Sequence, residues 1–245
     1  QVCKFFKEND IEVVIHCAAA GVTRNLKSVS QHFETNLKIF FNIIKNKKYF
    51  KKMINLGSGA EYNKEFEISN VKENSFGKSI PKDSYGFYKY ICSQIIQQSQ
   101  YEIVNLRLFG VFGKYEDPNT RFISNMMMKI LLNEQLIINQ NAIFNYIHVK
   151  DLSKIIEFFI ENKTKYKTYN VGSENNIQLI DLLKRIINIS EKSDMQFITK
   201  NAGFNKEYTC NIDRLKSEMD LETKDLNLRL KELYEYYKKN INQSR

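Results

Sequence analysis

The chain is poor in the residues that break a fold into pieces: 9 glycines, 2 prolines and no tryptophan among 245 residues. No linker rich in Gly, Ser or Pro interrupts it and no repeat or low-complexity tract appears. One domain of ordinary size, or one carrying a small lobe, is therefore expected. The four cysteines, Cys3, Cys17, Cys92 and Cys210, lie far apart without paired ligand spacing. They read as reduced thiols in a cytoplasmic protein and exclude a disulfide scaffold. His16 has no second histidine or carboxylate at ligand spacing, so no metal site is expected. The longest stretch free of Asp, Glu, Lys and Arg runs from Gln135 to Val149 and carries Gln, Asn and His. A membrane helix needs about 20 apolar residues, so no span is expected. The chain opens on Gln rather than Met and has no charged-then-apolar leader, so its natural start is expected to lie elsewhere.

What is abundant is lysine, asparagine and isoleucine, at 30, 27 and 29 residues. That bias accounts for the net charge of +9 without invoking nucleic acid. A nucleic-acid surface gathers its cations on one face among aromatic platforms, whereas these are scattered. The densest group, Lys45, Lys47, Lys48, Lys51 and Lys52, falls where a helix should end, a place that favours cations. With 42% hydrophobic and 13% aromatic residues the chain can bury a full core.

Periodicity gives alternating strands and helices. Residues 12–17 (EVVIHC) form a short β-branched run that breaks into Ala18, Ala19, Ala20 and Gly21. An amphipathic helix follows, with Val29, Phe33, Leu37, Phe40 and Ile44 on one face. Residues 52–56 (KMINL) are a second strand, closed by Gly57-Ser58-Gly59. Pro81 to Ser84 read as a turn and cap for a helix from Tyr85 to about Gln100. Residues 102–108 (EIVNLRL) are a third strand, and Phe109 to Gly113 a glycine-punctuated loop. Beyond Tyr115 the pattern predicts helices over 122–132, 151–161 and 179–188 and strands over 144–148 and 167–171. Alternation of this kind means a parallel sheet covered on both faces. Ligands bind such sheets at the carboxyl ends of the strands, which singles out the loops after Cys17, Leu56 and Leu108. Residues 1–114, with the strand at 144–149, are expected to form that sheet, and 115–245 mainly an interleaved lobe.

The best catalytic candidate is Tyr85 with Lys89, which share a helix face at i and i+4. An ammonium beside the phenol lowers its pKa from about 10 and lets it exchange protons near neutrality. Chance alone supplies about 1.7 such pairs in a chain of this composition, and there are three. Tyr146 with Lys150 lies in a strand-like run, and Tyr234 with Lys238 on a charged C-terminal helix; only Tyr85 follows a strand, a small-residue loop and a cap. Ser58, between two glycines, offers a hydroxyl to an oxygen that the tyrosine also touches; its plainer reading is a turn serine. Asn36, on the side of its helix that Asn25 would approach, has a plain reading as a solvated or capping amide. His16 reads as a packed core residue, and Met126-Met127-Met128 as core filling.

In order along the chain stand VVIHCAA (13–19), LGSGAEY (56–62), YGFYK (85–89), LRLFGVFG (106–113) and YIHVKDL (146–152). Together they resemble the extended short-chain dehydrogenase/reductases, specifically the NAD-dependent epimerase/dehydratase family acting on nucleotide sugars. The likeness covers Gln1 to about Gly172 and implies a Rossmann-type doubly wound sheet with a small C-terminal substrate lobe. It implies NAD or NADP as cofactor, lined by Ala18, Ala19, Tyr85, Lys89 and Phe109. It makes Ser58, Tyr85 and Lys89 the catalytic set, and Asn36, Ser58, Gly110 and Arg121 the substrate contacts. A homodimer is expected of the full-length protein.

The departures narrow these expectations. The family opens with a strand and a G-x-x-G-x-x-G turn, and no glycine triplet of that spacing exists here. The chain starts at the family's fourth strand, roughly 50 residues late by βαβ lengths. A truncated sheet lacking its first strands is therefore expected, with an unpaired edge that favours association. Gly59-Ala60 stand where the dehydratases carry Asp-Glu, and Ala60 where the fucose-type synthases carry a catalytic Cys. Hydride exchange at one hexose carbon, by a 4-epimerase or 4-reductase, is what remains; a dehydratase and a non-catalytic scaffold or inactive fragment are the alternatives. Phe144 occupies the place of an Arg that many relatives use to hold the diphosphate. The lobe's Arg121, Lys129, Lys206 and Arg214, among Phe122, Phe144, Phe204 and Tyr208, could pair with a diphosphate and stack a base, or be ordinary surface cations.

Overall fold

The computed structural model describes residues 1–21, 29–192 and 194–241, and of residues 29–31 only the backbone. The helices are α1 (Val2–Glu8), α2 (Val29–Ile44), α3 (Ser84–Gln98), α4 (Phe122–Leu131), α5 (Val149–Glu161), α6 (Leu179–Ile189), α7 (Asp213–Lys216) and α8 (Leu226–Asn240). The strands are β1 (Val13–His16), β2 (Lys52–Ser58), β3 (Ile68–Val71), β4 (Ile103–Leu108), β5 (Gly110–Phe112), β6 (Leu136–Asn141), β7 (Ile143–His148), β8 (Thr168–Val171), β9 (Asn176–Gln178), β10 (Phe197–Phe204) and β11 (Tyr208–Cys210).

Four strands make one all-parallel sheet in the order β1-β2-β4-β8. Because side chains alternate along a strand, each of its central strands serves two cores. Met53 and Ile103 face a cluster with Phe40 of α2 and Tyr88, Cys92 and Ile96 of α3. Ile54, Val104 and Leu106 face Leu152, Ile155 and Phe159 of α5. The sheet is thus covered on both faces, as the strand–helix alternation requires.

The strand expected at 144–149 does not join this sheet. As β7 it lies in a second sheet of order β3-β11-β7-β5, with β9 antiparallel on β7. The loop expected after Leu108 carries the reason. β4 ends at Leu108, and one residue later Gly110–Phe112 continue as β5, in parallel register with Tyr146–His148. Gly110 is a glycine because a Cβ there would lie 2.4 Å from the Asn145 carbonyl oxygen. A third, two-stranded sheet pairs β6 with β10, and β6 packs with α4, α6 and α8 into the lobe's own apolar cluster around Met127, Leu183 and Leu230. Residues 149–171 (α5 through β8) return to the first sheet, so the lobe is interleaved with it.

The lysine cluster does not cap the helix it follows. Lys52, the first residue of β2, reaches across the sheet to the end of α5, where its ammonium donates to the carbonyls of Phe159, Ile160 and Asn162 at 3.1, 3.2 and 2.8 Å. A cation is stabilising at that negative pole. Lys47 instead lies 3.6 Å from the centre of the Tyr101 ring. Among the described residues no helix is long and apolar enough to cross a membrane.

Candidate active site

The carboxyl ends of β1, β2 and β4 converge on one edge of the parallel sheet. β2 ends on Ser58, which is the N-cap of a 3-10 turn, Gly59–Tyr62. The Ser58 hydroxyl oxygen accepts from the Ala60 N–H at 3.1 Å, and the Glu61 carboxylate accepts the Ser58 N–H at 3.0 Å. This reciprocal capping box shows that Ser58 does fill the plain turn role, and it leaves the serine's own proton uncommitted.

Each glycine beside Ser58 has a neighbour in the space a side chain would take. A Cβ on Gly57 would lie 2.5 Å from both the Glu61 carboxylate and the Asn105 amide oxygen. One on Gly59 would lie 2.6 Å from the Tyr208 hydroxyl and 2.7 Å from the Phe109 ring. The Gly-Ser-Gly run is therefore a close-packing device: a buried acid on one side of Ser58, a phenol and a phenyl ring on the other.

Helix α3 brings the tyrosine. Asp83 is its N-cap and accepts the Gly86 N–H at 2.8 Å. A Cβ on Gly86 would come within 2.8 Å of the Ala60 carbonyl oxygen, so the first turn of α3 lies flush on the turn that presents Ser58. Tyr85, the preceding residue, is half-buried, with its ring edge-on to Tyr88 at 5.4 Å. Lys89 donates to the carbonyl of Leu56, two residues before Ser58. The expected ammonium thus belongs to the same strand end, anchored on backbone.

Beneath the loop after β1, His16 is buried against Phe40 with its Nδ1 unpartnered. Burial, aided by the Lys89 charge, holds its pKa down at about 4. Ala18 is exposed and Ala19 half-buried at the open end of β1. Asn36 has a different place from the one expected. It is buried, its amide oxygen accepts the Ala20 N–H at 2.7 Å and its NH2 donates to the Ala20 carbonyl at 3.1 Å. It is a strut that shapes the loop, not a free amide. Asn25 lies outside the described residues.

Of the lobe's cations, Arg214 donates to the Thr168 carbonyl at 3.0 Å and lies over the Tyr166 ring, and Lys206 donates to the Glu65 carbonyl. Both are spent on structure. Arg121 is exposed at the start of α4, near Glu116 and Asp117. What the sequence did not disclose is the aromatic row that faces the strand ends. Phe109 packs on Tyr208 at 4.9 Å, Tyr208 on Phe144 at 5.9 Å and Phe144 on Tyr146 at 5.8 Å. Register creates this row, since Tyr208 stands opposite Phe144 in the second sheet. No pattern within one segment could have revealed it.

His148, at the N-cap of α5, is likewise pushed down to about 4, by burial first and then by Arg229. A histidine depressed in the fold takes up its proton on unfolding, so the stability these two confer is complete above about pH 6.5 and is lost as the pH falls towards 4. Glu116, raised by burial to about 7, acts in the opposite direction. Two groups outweigh one: the thermal midpoint should fall between pH 6.5 and 4.5, and His16→Asn with His148→Asn should flatten that slope. A midpoint rising over the same interval would contradict the assignment.

Residues 1–172 match the model of the NAD dependent epimerase/dehydratase family. The chain is 22% identical over 209 residues to an ADP-L-glycero-D-manno-heptose-6-epimerase of Brachyspira hyodysenteriae (strain ATCC 49526 / WA1), covering 79% of this chain and 64% of that protein. It is 24% identical over 203 residues to a dTDP-D-glucose 4,6-dehydratase of Dictyostelium discoideum, covering 76% of this chain and 46% of that one. The chain thus spans under two thirds of the length of these two relatives. Among solved structures, the fold superposes on a UDP-glucose 4-epimerase with UDP-glucose from Thermotoga maritima, with a TM-score of 0.85 at 19% identity over 98% of this chain and 81% of that one.

Proposed function

The chain belongs to the NAD dependent epimerase/dehydratase family, and from that premise we propose that it serves an NAD(P)-dependent nucleotide-sugar epimerase or 4-reductase. The observation that supports this reading is the flush seating of the first turn of α3, which carries Tyr85, on the turn that Ser58 caps at the end of β2. When bound, NAD or NADP supplies the hydride acceptor and donor. The residues present suit its reactive end: small side chains at Ala18 and Ala19 leave the end of β1 open to a flat ring, and Phe109, Tyr85 and Lys89 border the same edge. Tyr85 takes or returns the proton of the sugar hydroxyl, Ser58 holds the same oxygen, and Lys89, anchored on Leu56, keeps a positive charge beside them. Such an arrangement serves hydride exchange at one hexose carbon.

Among the described residues, nothing around Ser58 supplies the extra acid of an elimination. Ala60 is buried in the position a second functional side chain would need, and Glu61 is committed to Arg107. That favours the epimerase or reductase over the dehydratase. Arg121 and Gly110 remain proposed substrate contacts from the lobe side, residues 115–245 the substrate-binding portion, and the full-length enzyme a cytoplasmic homodimer. The test is titration calorimetry of the chain against NAD(P) and against UDP-, GDP-, CDP- and dTDP-hexoses. Binding of one nucleotide series is expected; failure of every series alongside normal NAD(P) binding would remove the nucleotide-sugar reading.

A further inference from the structure

We propose that Ser93 is a positioning residue: its buried hydroxyl clamps helix α3, which carries Tyr85 and Lys89, to the turn that carries Ser58. The inference rests on the reading of Tyr85 and Ser58 as the groups that meet the sugar oxygen. It begins from helix periodicity. Tyr85, Lys89 and Ser93 stand four residues apart along α3 and so share one face. At the first turn that helix rests on the Ala60 carbonyl through Gly86. One turn on, Lys89 donates to the Leu56 carbonyl at the end of β2. One turn further, Ser93 meets β4. It is fully buried, and its oxygen accepts from the Arg107 guanidinium at 2.8 Å and from the Asn105 amide at 3.2 Å. Both acceptor positions of the hydroxyl are thereby filled.

The same two donors lead on to Ser58. Arg107 Nε donates to the Glu61 carboxylate at 2.6 Å and the Asn105 NH2 donates to it at 3.2 Å. Glu61 in turn accepts the Ser58 N–H at 3.0 Å. Two parallel bridges, each one side chain wide, therefore join Ser93 to the acid that holds the Ser58 turn. Strand register builds them. Asn55 and Asn105 are partners across β2 and β4, and they alternate with Met53 and Ile103, which face α3. Asn55 donates to the Asn105 amide oxygen at 2.6 Å, which leaves the Asn105 NH2 turned to Ser93 and Glu61. Glu61, Asn105 and Arg107 are all fully buried, and a satisfied network in so low a dielectric is rigid. The consequence for the reaction is geometric, and no proton passes through Ser93. Tyr85 must reach the oxygen that Ser58 also holds, and a misplacement of about 1 Å costs about 100-fold in rate. The Gly86 contact sets the spacing of helix and turn; the directional bonds to Ser93 stop the helix from sliding or rolling across that contact.

Ser93→Ala removes the acceptor and leaves both donors in place. Turnover of UDP-, GDP-, CDP- and dTDP-hexoses by the chain with NAD or NADP should lose about tenfold in kcat, with KM little changed. Ser93→Cys, close in size but a weaker acceptor, should fall between the two. Ile96→Val is the control for a merely structural role. Ile96 is fully buried on the same helix, in the cluster with Phe40 and Met53, and its truncation costs stability without touching the hydroxyl. Urea midpoints place the variants on one stability scale, and Ile96→Val should keep its kcat. Equal loss of kcat for equal loss of stability in the Ser93 and Ile96 variants would overturn the proposal. Should Ser93→Ala fail to fold, Ser93→Cys against Ile96→Val makes the same comparison. A readout independent of turnover is the Ser58 amide resonance of the 15N-labelled chain. It should move most in Ser93→Ala, less in Ser93→Cys and least in Ile96→Val. A resonance indifferent to the Ser93 variants overturns the clamp while leaving the proposed reaction intact. A responsive resonance in a chain that turns over no nucleotide sugar overturns the reaction, and with it the role, but not the clamp.

Discussion

Tyr85→Phe should lower turnover by about 100- to 10,000-fold, the range for general acid–base assistance, with almost no loss of folding stability. The substitution removes only the phenol oxygen. The edge-on contact with Tyr88 at 5.4 Å involves the ring, the α3 cap is made by Asp83, and the close approach to Ala60 is made by Gly86. None of these needs the hydroxyl. Turnover of the nucleotide-sugar panel and a thermal unfolding curve, measured on the same preparation, separate the two effects. Normal turnover in the variant would sink the assignment of Tyr85 and favour a scaffold that kept the fold without the reaction. An equal loss of activity and stability would show that the oxygen serves the fold instead.

The parallel sheet was legible because β2, β4 and β8 are buried on both faces and the edge strand β1 is a β-branched run. EVVIHC, KMINL and EIVNLRL are continuous or β-branched runs, and the structure places β1, β2 and β4 within two residues of their expected ends. The second and third sheets were legible only in β7, for a physical reason. β5 is three residues long and contains a glycine, and β10 leaves all but two of its residues exposed, so neither carries a hydrophobic period. β6 lies inside the charge-free run that bears on membrane insertion, where six residues offer too short a period to separate strand from helix. The site divides in the same way. Ser58, Tyr85 and Lys89 belong to local motifs of strand end, cap and helix face. Tyr208, 149 positions from Gly59, is brought against it by pairing of β11 with β3 and β7. Glu61 and Arg107 were visible as residues of recurring motifs, but not as partners, because their pairing depends on a 3-10 turn folding back under β4.

That pair should give the largest stability effect in the molecule. Glu61 and Arg107 are both fully buried, with Arg107 Nε donating to the carboxylate at 2.6 Å. The other two guanidinium nitrogens also have partners: Arg107 donates to Tyr62 at 3.1 Å and Ser93 at 2.8 Å and lies over the Phe76 ring at 4.3 Å. Glu61 accepts from Ser58 N–H at 3.0 Å and from Asn105 at 3.2 Å. Glu61→Gln keeps the shape but leaves a buried guanidinium without its counter-charge. The new NH2 must also point at a donor, because every group that surrounds the carboxylate is itself an N–H. Breaking such a pair costs about 3–5 kcal/mol, a large share of the ~5–15 kcal/mol that holds a domain together. Urea unfolding should show the loss as a lower midpoint at unchanged slope. The contrasting variant is the double replacement Glu61→Leu with Arg107→Met, which removes both charges and should cost less than Glu61→Gln alone, since the penalty lies in the orphaned charge rather than in the absent attraction. A double variant less stable than the single one would mean that the pair's own attraction, and not the need to neutralise Arg107, braces the turn beneath Ser58.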